Sequence, residues 1–552
     1  MQRISAALML LALLVIGCAQ VHFIAPLEKI TIQNDVHIPT RDGSYLLANV
    51  YRPSGSEIVP AILTLGPYGK DRLPWYPEED EDGEFRISEL CAFETPDPGW
   101  WVPRGYAIVR VDARGLGSSP GRAGVFPAKE REDYYDAIEW AASQTWCNGQ
   151  VGLLGASYYA VNQWHAAGEQ PPHLKAIIPW EGFTDLYRDG AYHGGIPSDA
   201  FIKHWFQDNI VGNTHEDTTS VEPFDREALE HDRDDEYYDR KSVDLTKVTV
   251  PVYAVTNWGA HGLHLRGVIN GFLEAASEHK WLRVHGGIKL EDFYAPENLE
   301  VQKRFFDCFL KGEENGFKNE PPIRLAIRTN KDKVQWLACE DWPVRDTEWT
   351  KLYLNADQMT LSSIPSTDQA SVTYKGYEPF LGSSGAVFES QPMSAQTEIV
   401  GPVAARLWVS SSVEDMDVFV TLRVLDECGD VIHFYGEDTS EAPAAQGWLR
   451  VSHRETDPAR SKPYQPWHVH GEKQPLRPHE TVPIDVEIWP TSFVLKKNYR
   501  LRVEILPHDP DGIGDIQHLS TIDSGENTIH TGGEHASYLL LPVINRTENE
   551  TP

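Results

Sequence analysis

The 552-residue sequence is poor in positive charge and in cysteine, and each scarcity excludes a class of protein. It has 49 Lys and Arg against 82 Asp and Glu, which gives a net charge of −33. Nucleic acid and anionic lipid would repel such a chain, so we expect neither as a partner. The 6 cysteines are widely scattered and form no disulfide framework, although one bridge is possible. The sequence contains no Cys-x-x-Cys or His-Glu-x-x-His motif, and we expect no metal ion and no cofactor.

Long apolar runs are scarce as well, and the one at the N-terminus predicts export. It covers Ile4 to Gly17, which is too short to span a bilayer comfortably and suits the core of a signal peptide. We therefore predict a signal peptide over residues 1–19 and a protein that is secreted or lipid-anchored outside the cytoplasm. A lipid on Cys18, which ends a lipoprotein-like box, would be its route to a membrane. Cleavage after Ala19 would instead release a soluble protein.

The length and the changing patterns along the chain predict more than one domain, because single cores usually split at this size. Strands and helices alternate over residues 36–185 and again over 248–315, which is typical of a mostly parallel α/β sheet. The acidic, aromatic-rich segment 186–247 lacks strand alternation and is predicted to form a helical cap. Residues 322–544 have period-two patterns separated by turns and are predicted to form a β-sandwich or jelly-roll domain.

The most informative segment is Gln150 to Gln163, which reads QVGLLGASYYAVNQ. A short apolar run breaks at Gly155, a serine follows at position 157, and the chain then continues as a helix. A strand, a sharp turn at a serine and a helix form the nucleophile elbow of an α/β hydrolase. The small residue usual two places after the serine is replaced by Tyr159, so the match is incomplete.

A glycine-rich stretch, Asp112 to Gly121, precedes this segment and could be mistaken for a nucleotide-binding loop. Its glycines miss the G-x-G-x-x-G spacing, and Pro120 stands where the helix of such a loop should begin. We therefore reject a nucleotide site there.

Three segments together carry a resemblance to a known family: DARGLGSSPG, DYYDAIEWAASQTWCNGQVGLLGASYYAVNQWHAA and PPHLKAIIPWEGFTDLYRD. They resemble the cocaine-esterase/X-prolyl dipeptidyl-peptidase family of serine hydrolases. The resemblance implies an α/β-hydrolase domain with a helical cap, followed by a C-terminal jelly-roll β-domain. It also implies that Ser157 is the nucleophile, and that the oxyanion is held by the Tyr158 N–H and by the hydroxyl of Tyr68.

The other two members of the triad do not match the family. Ala260 stands where the family has its aspartate, and Lys289 or a near neighbour stands where the family has its histidine. Both partners of Ser157 must therefore come from other positions if the protein is active, and turnover is expected to be weak.

Several residues could replace the missing partners, and we favour His285 as the base with Glu181 as the acid. Asp185 is a second possible acid at the end of the same strand unit as Glu181. His261 or His264 could serve as the base if Glu291 or Asp292 orients the imidazole. Lys289 itself could be the base, as in Ser-Lys hydrolases, if burial lowers its pKa toward neutrality.

Two functions follow from this interpretation. The first is a serine hydrolase that cleaves an ester or amide bond through an acyl-enzyme on Ser157, with an X-Pro peptide bond among the options. Its partner would be a small-molecule ester or a peptide. The second is a non-catalytic relative that binds a small molecule or peptide after losing its triad.

Overall fold

The computed structural model describes residues 29–73, 87–214, 221–376, 385–522 and 524–545. The predicted signal peptide over residues 1–19 and the predicted lipid site at Cys18 lie outside the described residues. Across the described ranges, no helix is both long enough and apolar enough to cross a membrane.

The N-terminal domain is built on one large sheet. Its strands, with a short hairpin formed by β7 and β8, are β1 (Ile30–Pro39), β2 (Tyr45–Pro53), β3 (Val59–Gly66), β4 (Ala107–Asp112), β5 (Cys147–Ala156), β6 (Leu174–Trp180), β7 (Tyr192–His193), β8 (Ile196–Pro197), β9 (Val252–Asn257), β10 (Lys280–His285), β11 (Ile323–Asn330) and β12 (Lys333–Cys339). The order in the sheet is β1-β2-β4-β3-β5-β6-β9-β10-β11-β12. Neighbours from β4 to β11 run parallel, and the strands at the two edges run antiparallel.

Both faces of this sheet are buried, which explains why its central strands read as continuous apolar runs. Along β3, Ala61 and Leu63 belong to one core cluster, whereas Ile62 belongs to another on the opposite face. The helices of this part of the chain are α1 (Pro98–Trp101), α2 (Ala128–Ser143), α3 (Tyr158–Gly168), α4 (Asp199–Trp205), α5 (Phe224–Glu230), α6 (Glu236–Asp239), α7 (Leu265–Glu274), α8 (Lys289–Tyr294) and α9 (Pro296–Leu310).

The segment predicted as a cap, residues 186–247, folds into short helical pieces and the β7–β8 hairpin. Besides α4, α5 and α6 it contains π-helical turns at Leu186–Ala191 and Phe206–Ile210 and 3₁₀ turns at Val211–Asn213 and Leu245–Lys247. Aromatic side chains from this segment pack next to Ser157 and Tyr68, so the cap forms one wall of the site.

The described residues of the C-terminal domain form strands and two short 3₁₀ turns, at Val451–His453 and Gly533–His535. Its strands are β13 (Glu348–Asn355), β14 (Thr360–Ser362), β15 (Ala370–Lys375), β16 (Ala386–Ser390), β17 (Thr397–Ser411), β18 (Asp417–Leu425), β19 (Val431–Ile432), β20 (Ala445–Arg450), β21 (Val482–Leu495), β22 (Arg500–Leu506), β23 (Glu526–Thr531) and β24 (Tyr538–Ile544). Because β24 pairs with both β13 and β17, the sheet closes on itself around an apolar core. The predicted fold class, an α/β hydrolase followed by a β-rich barrel or sandwich domain, is confirmed. The finer assignment as a jelly roll stays a prediction.

The first sheet extends further along the chain than the sequence predicts. The predicted boundary at residue 322 places strands β11 and β12 in the C-terminal domain. In the structure β11 pairs with β10, and β12 pairs with β11 at the edge of the first sheet. Period-two alternation identifies a strand but does not identify the sheet that the strand joins. The boundary between the two sheets therefore falls between Cys339 and Glu348.

Candidate active site

Ser157 lies in a strained turn between β5 and α3. Its φ of 56° and ψ of −122° are unusual for a residue with a side chain. The turn is closed by the Ser157 N–H, which donates to the Trp180 carbonyl at 3.1 Å. It is possible only with glycine two residues earlier, because a Cβ on Gly155 would lie 2.6 Å from Tyr159 Cβ. Strain of this kind clusters at functional sites, and here it presents the hydroxyl at the end of the parallel strands.

Tyr68 supplies a hydroxyl beside the nucleophile. Its Oη lies 3.5 Å from Ser157 Oγ, and it also accepts a hydrogen bond from Trp205 Nε1 at 3.3 Å. An indole N–H can only donate, so the proton of the Tyr68 hydroxyl stays available for a group at Ser157. Burial raises the pKa of Tyr68, which keeps the hydroxyl protonated at ordinary pH. Tyr68 is therefore placed to hold a developing oxyanion.

The backbone and the side chain of Tyr158 have different roles. Its backbone N–H is the first of α3 and belongs to the N–H groups that a helix start leaves free. Its side chain is fixed, because the hydroxyl accepts from the Phe126 N–H at 2.9 Å and donates to Glu130 Oε2 at 3.2 Å. The ring then stacks on Trp205 with centroids 5.8 Å apart. The structure thus brings Ser157, Tyr68 and Tyr158 together, as the sequence predicts.

A largely apolar cavity lies in front of Ser157. Its apolar lining comes from the hydrolase core and from the cap, namely Val125, Phe126, Val161, Phe183, Leu186, Phe201, Ile202, Trp205, Phe224 and Leu263. The remaining lining residues are Tyr68, Ser157, Tyr158, Gly190 and His264. The described lining therefore contains no carboxylate and no lysine or arginine.

His285, the favoured base, lies beside Glu181 but is not bonded to the nucleophile. Its Nε2 is 3.1 Å from Glu181 Oε1, and its Nδ1 accepts from the Gly287 N–H at 3.3 Å. Burial lowers the pKa of His285 to about 4 and raises that of Glu181 well above its usual range. In the described part of the chain, neither residue forms a hydrogen bond with Ser157. The expected contact between His285 and Ser157 is therefore wrong for this structure, because both imidazole nitrogens are already engaged elsewhere.

Lys289 cannot act as the base in this arrangement. Its Nζ is 2.7 Å from Glu437 Oε1 and 3.0 Å from Glu94 Oε1. Burial alone would lower the pKa of Lys289, but these carboxylates outweigh burial and raise it well above its usual value. A Ser-Lys mechanism needs a neutral amine, whereas this lysine keeps its charge.

The other candidates for the acid and the base differ in whether they pair with an arginine or line the cavity. Asp185 accepts from the Arg188 N–H and pairs with its guanidinium, and Asp292 pairs with Arg283, so both carboxylates are engaged with arginines. His261 is buried and does not line the cavity. His264 does line the cavity together with Ser157.

Two carboxylates close to the site were missed by the sequence interpretation. Glu94 lies in the loop before α1, and its carbonyl accepts from the Ala156 N–H at 3.0 Å. Glu437 comes from the C-terminal domain, and its Oε1 lies 3.8 Å from His264 Nε2. Neither residue stands in a recognisable sequence motif, so the sequence gives no indication that either one lies near Ser157.

No metal centre is apparent among the described residues, where no three or more His, Cys, Asp or Glu side chains are grouped to hold an ion. The 5 cysteines within the described ranges, Cys91, Cys147, Cys308, Cys339 and Cys428, are all free.

A strained nucleophile elbow at the carboxyl end of a parallel sheet, with a hydroxyl donor beside it, defines an α/β hydrolase. The model of the X-Pro dipeptidyl-peptidase (S15 family) matches residues 42–288, and that of the X-Pro dipeptidyl-peptidase C-terminal non-catalytic domain matches residues 315–540. The structure of a CocE/NonD family hydrolase from Staphylococcus aureus is similar at 35% identity with a TM-score of 0.87, over 93% of this chain and 94% of that one. The chain belongs to this CocE/NonD family of X-Pro dipeptidyl-peptidase-like hydrolases.

More distant relatives agree with this assignment. Cocaine esterase from Rhodococcus is 24% identical over 94% of this chain and 99% of its own length. A putative Xaa-Pro dipeptidyl-peptidase from Bacillus anthracis is 26% identical over 58% of each chain. An α-amino acid ester hydrolase shares the fold, with a TM-score of 0.70 at 18% identity over 96% of this chain and 100% of that one. The family prediction is confirmed, and the protein is a hydrolase of the esterase or peptidase class.

Proposed function

We propose that this protein is a serine hydrolase that cleaves esters of apolar, uncharged acids through an acyl-enzyme on Ser157. The observation that carries the proposal is the contact between the strained Ser157 and the hydroxyl of Tyr68 at the mouth of an apolar cavity. Ser157 attacks the acyl carbon, and the Tyr68 hydroxyl and Tyr158 N–H hold the oxyanion. Water then releases the acid.

The lining of the cavity supports this choice of substrate. A dipeptide with a free amino terminus needs a carboxylate to pair with its ammonium group, and none is among the described lining residues. Burial of an unpaired charge is costly, so charged acyl groups are disfavoured. Esters are preferred over amides because an alcohol is a better leaving group and Ser157 has no base hydrogen-bonded to it among the described residues.

A non-catalytic binding protein is the second candidate. The observations that favour it are Ala260 at the family's acid position and the charged Lys289 at the position of its histidine. The experiment below separates the two candidates. The predicted export, with Cys18 or Ala19 at the processed terminus, stays a prediction.

A fluorophosphonate probe should label the purified protein on Ser157, because covalent capture requires an activated serine. Mass spectrometry of the labelled peptide that contains residues 150–163 is the measurement. Well-folded protein, checked by circular dichroism, that takes up no probe would contradict the hydrolase proposal and favour the binding protein.

Substrate choice provides a separate test. We expect kcat/KM for p-nitrophenyl butyrate to exceed that for the p-nitrophenyl monoester of succinate by about a hundredfold, since an unpaired buried charge costs a few kcal/mol. Ala-Pro-p-nitroanilide should be a poorer substrate than the butyrate ester as well. Faster cleavage of the dipeptide anilide would show that the apolar lining does not set specificity, while Ser157 could still be the nucleophile.

A further inference from the structure

A turn of the C-terminal domain reaches the rear of the active site. The Phe434 N–H donates to the Ala442 carbonyl at 3.1 Å, and the Ala442 N–H donates back to the Phe434 carbonyl at 3.0 Å. Between them, the Gly436 N–H donates to the Thr439 carbonyl at 2.7 Å. Glu437 stands within this turn, and its side chain is only 11% exposed. The matching family model covers this residue and describes its domain as non-catalytic.

The turn packs directly on the loop that follows β9. A Cβ added to Gly259 would lie 1.8 Å from the Tyr435 carbonyl oxygen, so this loop and the turn touch through their backbones. Asn257 Nδ2 also donates to the Gly436 carbonyl at 3.4 Å. The loop carries Ala260, and the neighbouring domain therefore brings a carboxylate to the loop that lacks its own.

His264, at the end of this loop, is the histidine that shares the cavity with Ser157. It is buried, and its ring stacks on Phe183 with centroids 6.0 Å apart. Neither of its ring nitrogens has a hydrogen-bond partner among the described residues. Its Nε2 lies 3.8 Å from Glu437 Oε1, and catalytic contacts of this kind are often long before a substrate binds.

The charges around this pair leave Glu437 ionised. Burial would raise the pKa of Glu437, but Lys289, His264 and a hydrogen bond from Glu181 together outweigh burial and lower it to about 2. Lys289 also interacts with Glu94 and Glu181, and burial raises the pKa of both of these carboxyl groups. Burial lowers the pKa of His264 to about 3, while Glu437 acts in the opposite direction and Lys289 adds to the lowering. The imidazole is therefore neutral at ordinary pH, which is the form that a general base requires, and the Glu437 carboxylate is the group that favours its protonated form.

On the basis of the proposed function, we propose that His264 is the general base of Ser157 and that Glu437, from the C-terminal domain, positions it. With its proton on Nε2 facing Glu437, the imidazole takes the Ser157 Oγ proton on Nδ1 as Oγ bonds to the acyl carbon. The protonated ring then gives that proton to the leaving alcohol as the ester C–O bond breaks. Water repeats both steps and restores Ser157, with the charge of the imidazolium stabilised by the carboxylate.

Variants of His264 and Glu437 test this assignment by hydrolysis of p-nitrophenyl butyrate. His264→Gln should lower kcat by about a millionfold, because loss of the base of a triad costs about as much as loss of its nucleophile. Glu437→Gln should lower kcat by about ten thousandfold with KM nearly unchanged, and Glu437→Asp should recover part of that loss because it keeps the charge. His261→Gln is the matched control, since His261 is also buried in the same loop but does not line the cavity.

The outcomes separate this inference from the proposed function. A loss of kcat with KM unchanged and with rescue by Glu437→Asp, in protein with native circular dichroism, would support it, because a merely structural role would not spare KM and be rescued by aspartate. The Tm of Glu437→Gln should fall in either case, since the variant removes the charge partner of Lys289. If Ser157→Ala removes activity while His264→Gln retains it, or if His285→Gln causes the loss instead, this inference is wrong and the proposed function stands. Wild-type protein without turnover would overturn both.

Discussion

Ser157→Ala should lower kcat for p-nitrophenyl butyrate by about a millionfold, to the rate left by binding and the oxyanion donors alone. The reason is that no acyl-enzyme can form without Oγ, and no other hydroxyl in the described cavity sits on a strained elbow. Steady-state hydrolysis and burst kinetics measure the effect. The Tm should stay near that of the wild type, since the one side-chain hydrogen bond of the Ser157 hydroxyl among the described residues, with Tyr68, is long at 3.5 Å.

Ser198→Ala is a matched control for this change. Ser198 is also buried, and its hydroxyl has no hydrogen-bond partner in the described structure, so its removal should leave both kcat and Tm close to those of the wild type. A Ser157→Ala variant that keeps most of the wild-type activity would rule out Ser157 as the nucleophile.

Tyr68→Phe is the second substitution around the elbow with a large expected effect. It removes the hydroxyl 3.5 Å from Ser157 Oγ and should lower kcat by about a hundred- to a thousandfold, the usual loss for one oxyanion donor. KM should change little, because the donor acts mainly on the charge that develops in the transition state. Parallel measurements of kcat and KM on the butyrate ester check this split.

Tyr134→Phe provides the comparison, because Tyr134 is buried in the same domain and donates weakly to the Leu63 carbonyl, at 3.4 Å, without lining the cavity. It should leave kcat unchanged. If Tyr68→Phe raises KM and spares kcat, Tyr68 acts in binding the substrate and the oxyanion role assigned to it is wrong.

The strained turn at Ser157 could be predicted from sequence because everything that forms it is local. Gly155, Ser157 and the start of α3 lie within a few residues, and the strand, turn and helix are each encoded by that short segment. The same holds for Tyr68, which follows directly on β3. The overall division into an α/β domain and a β-domain was also predictable, since periodicity changes from mixed to period two.

The partners of Ser157 could not be predicted in this way. His285 ends the expected strand, but its side chain is turned toward Glu181 by a contact that sequence spacing does not encode. Lys289 could have been a base, and only its two carboxylate neighbours, one of them from the other domain, fix it as a cation. Glu437 stands in an acidic turn that reads as a solvated surface. Side-chain direction and contacts between domains decided these positions, and neither is visible in a local pattern.

The backbone contact at Gly259 has a consequence for how the protein reaches its working form. During synthesis the strained elbow and Tyr68 emerge long before the turn around Tyr435, so the N-terminal half leaves the ribosome before the loop after β9 can make this contact. The loop after β9 acquires its packing partner only when the second domain has folded and docked. The packing of this loop is therefore completed late in folding, by a contact between segments that are far apart in the sequence.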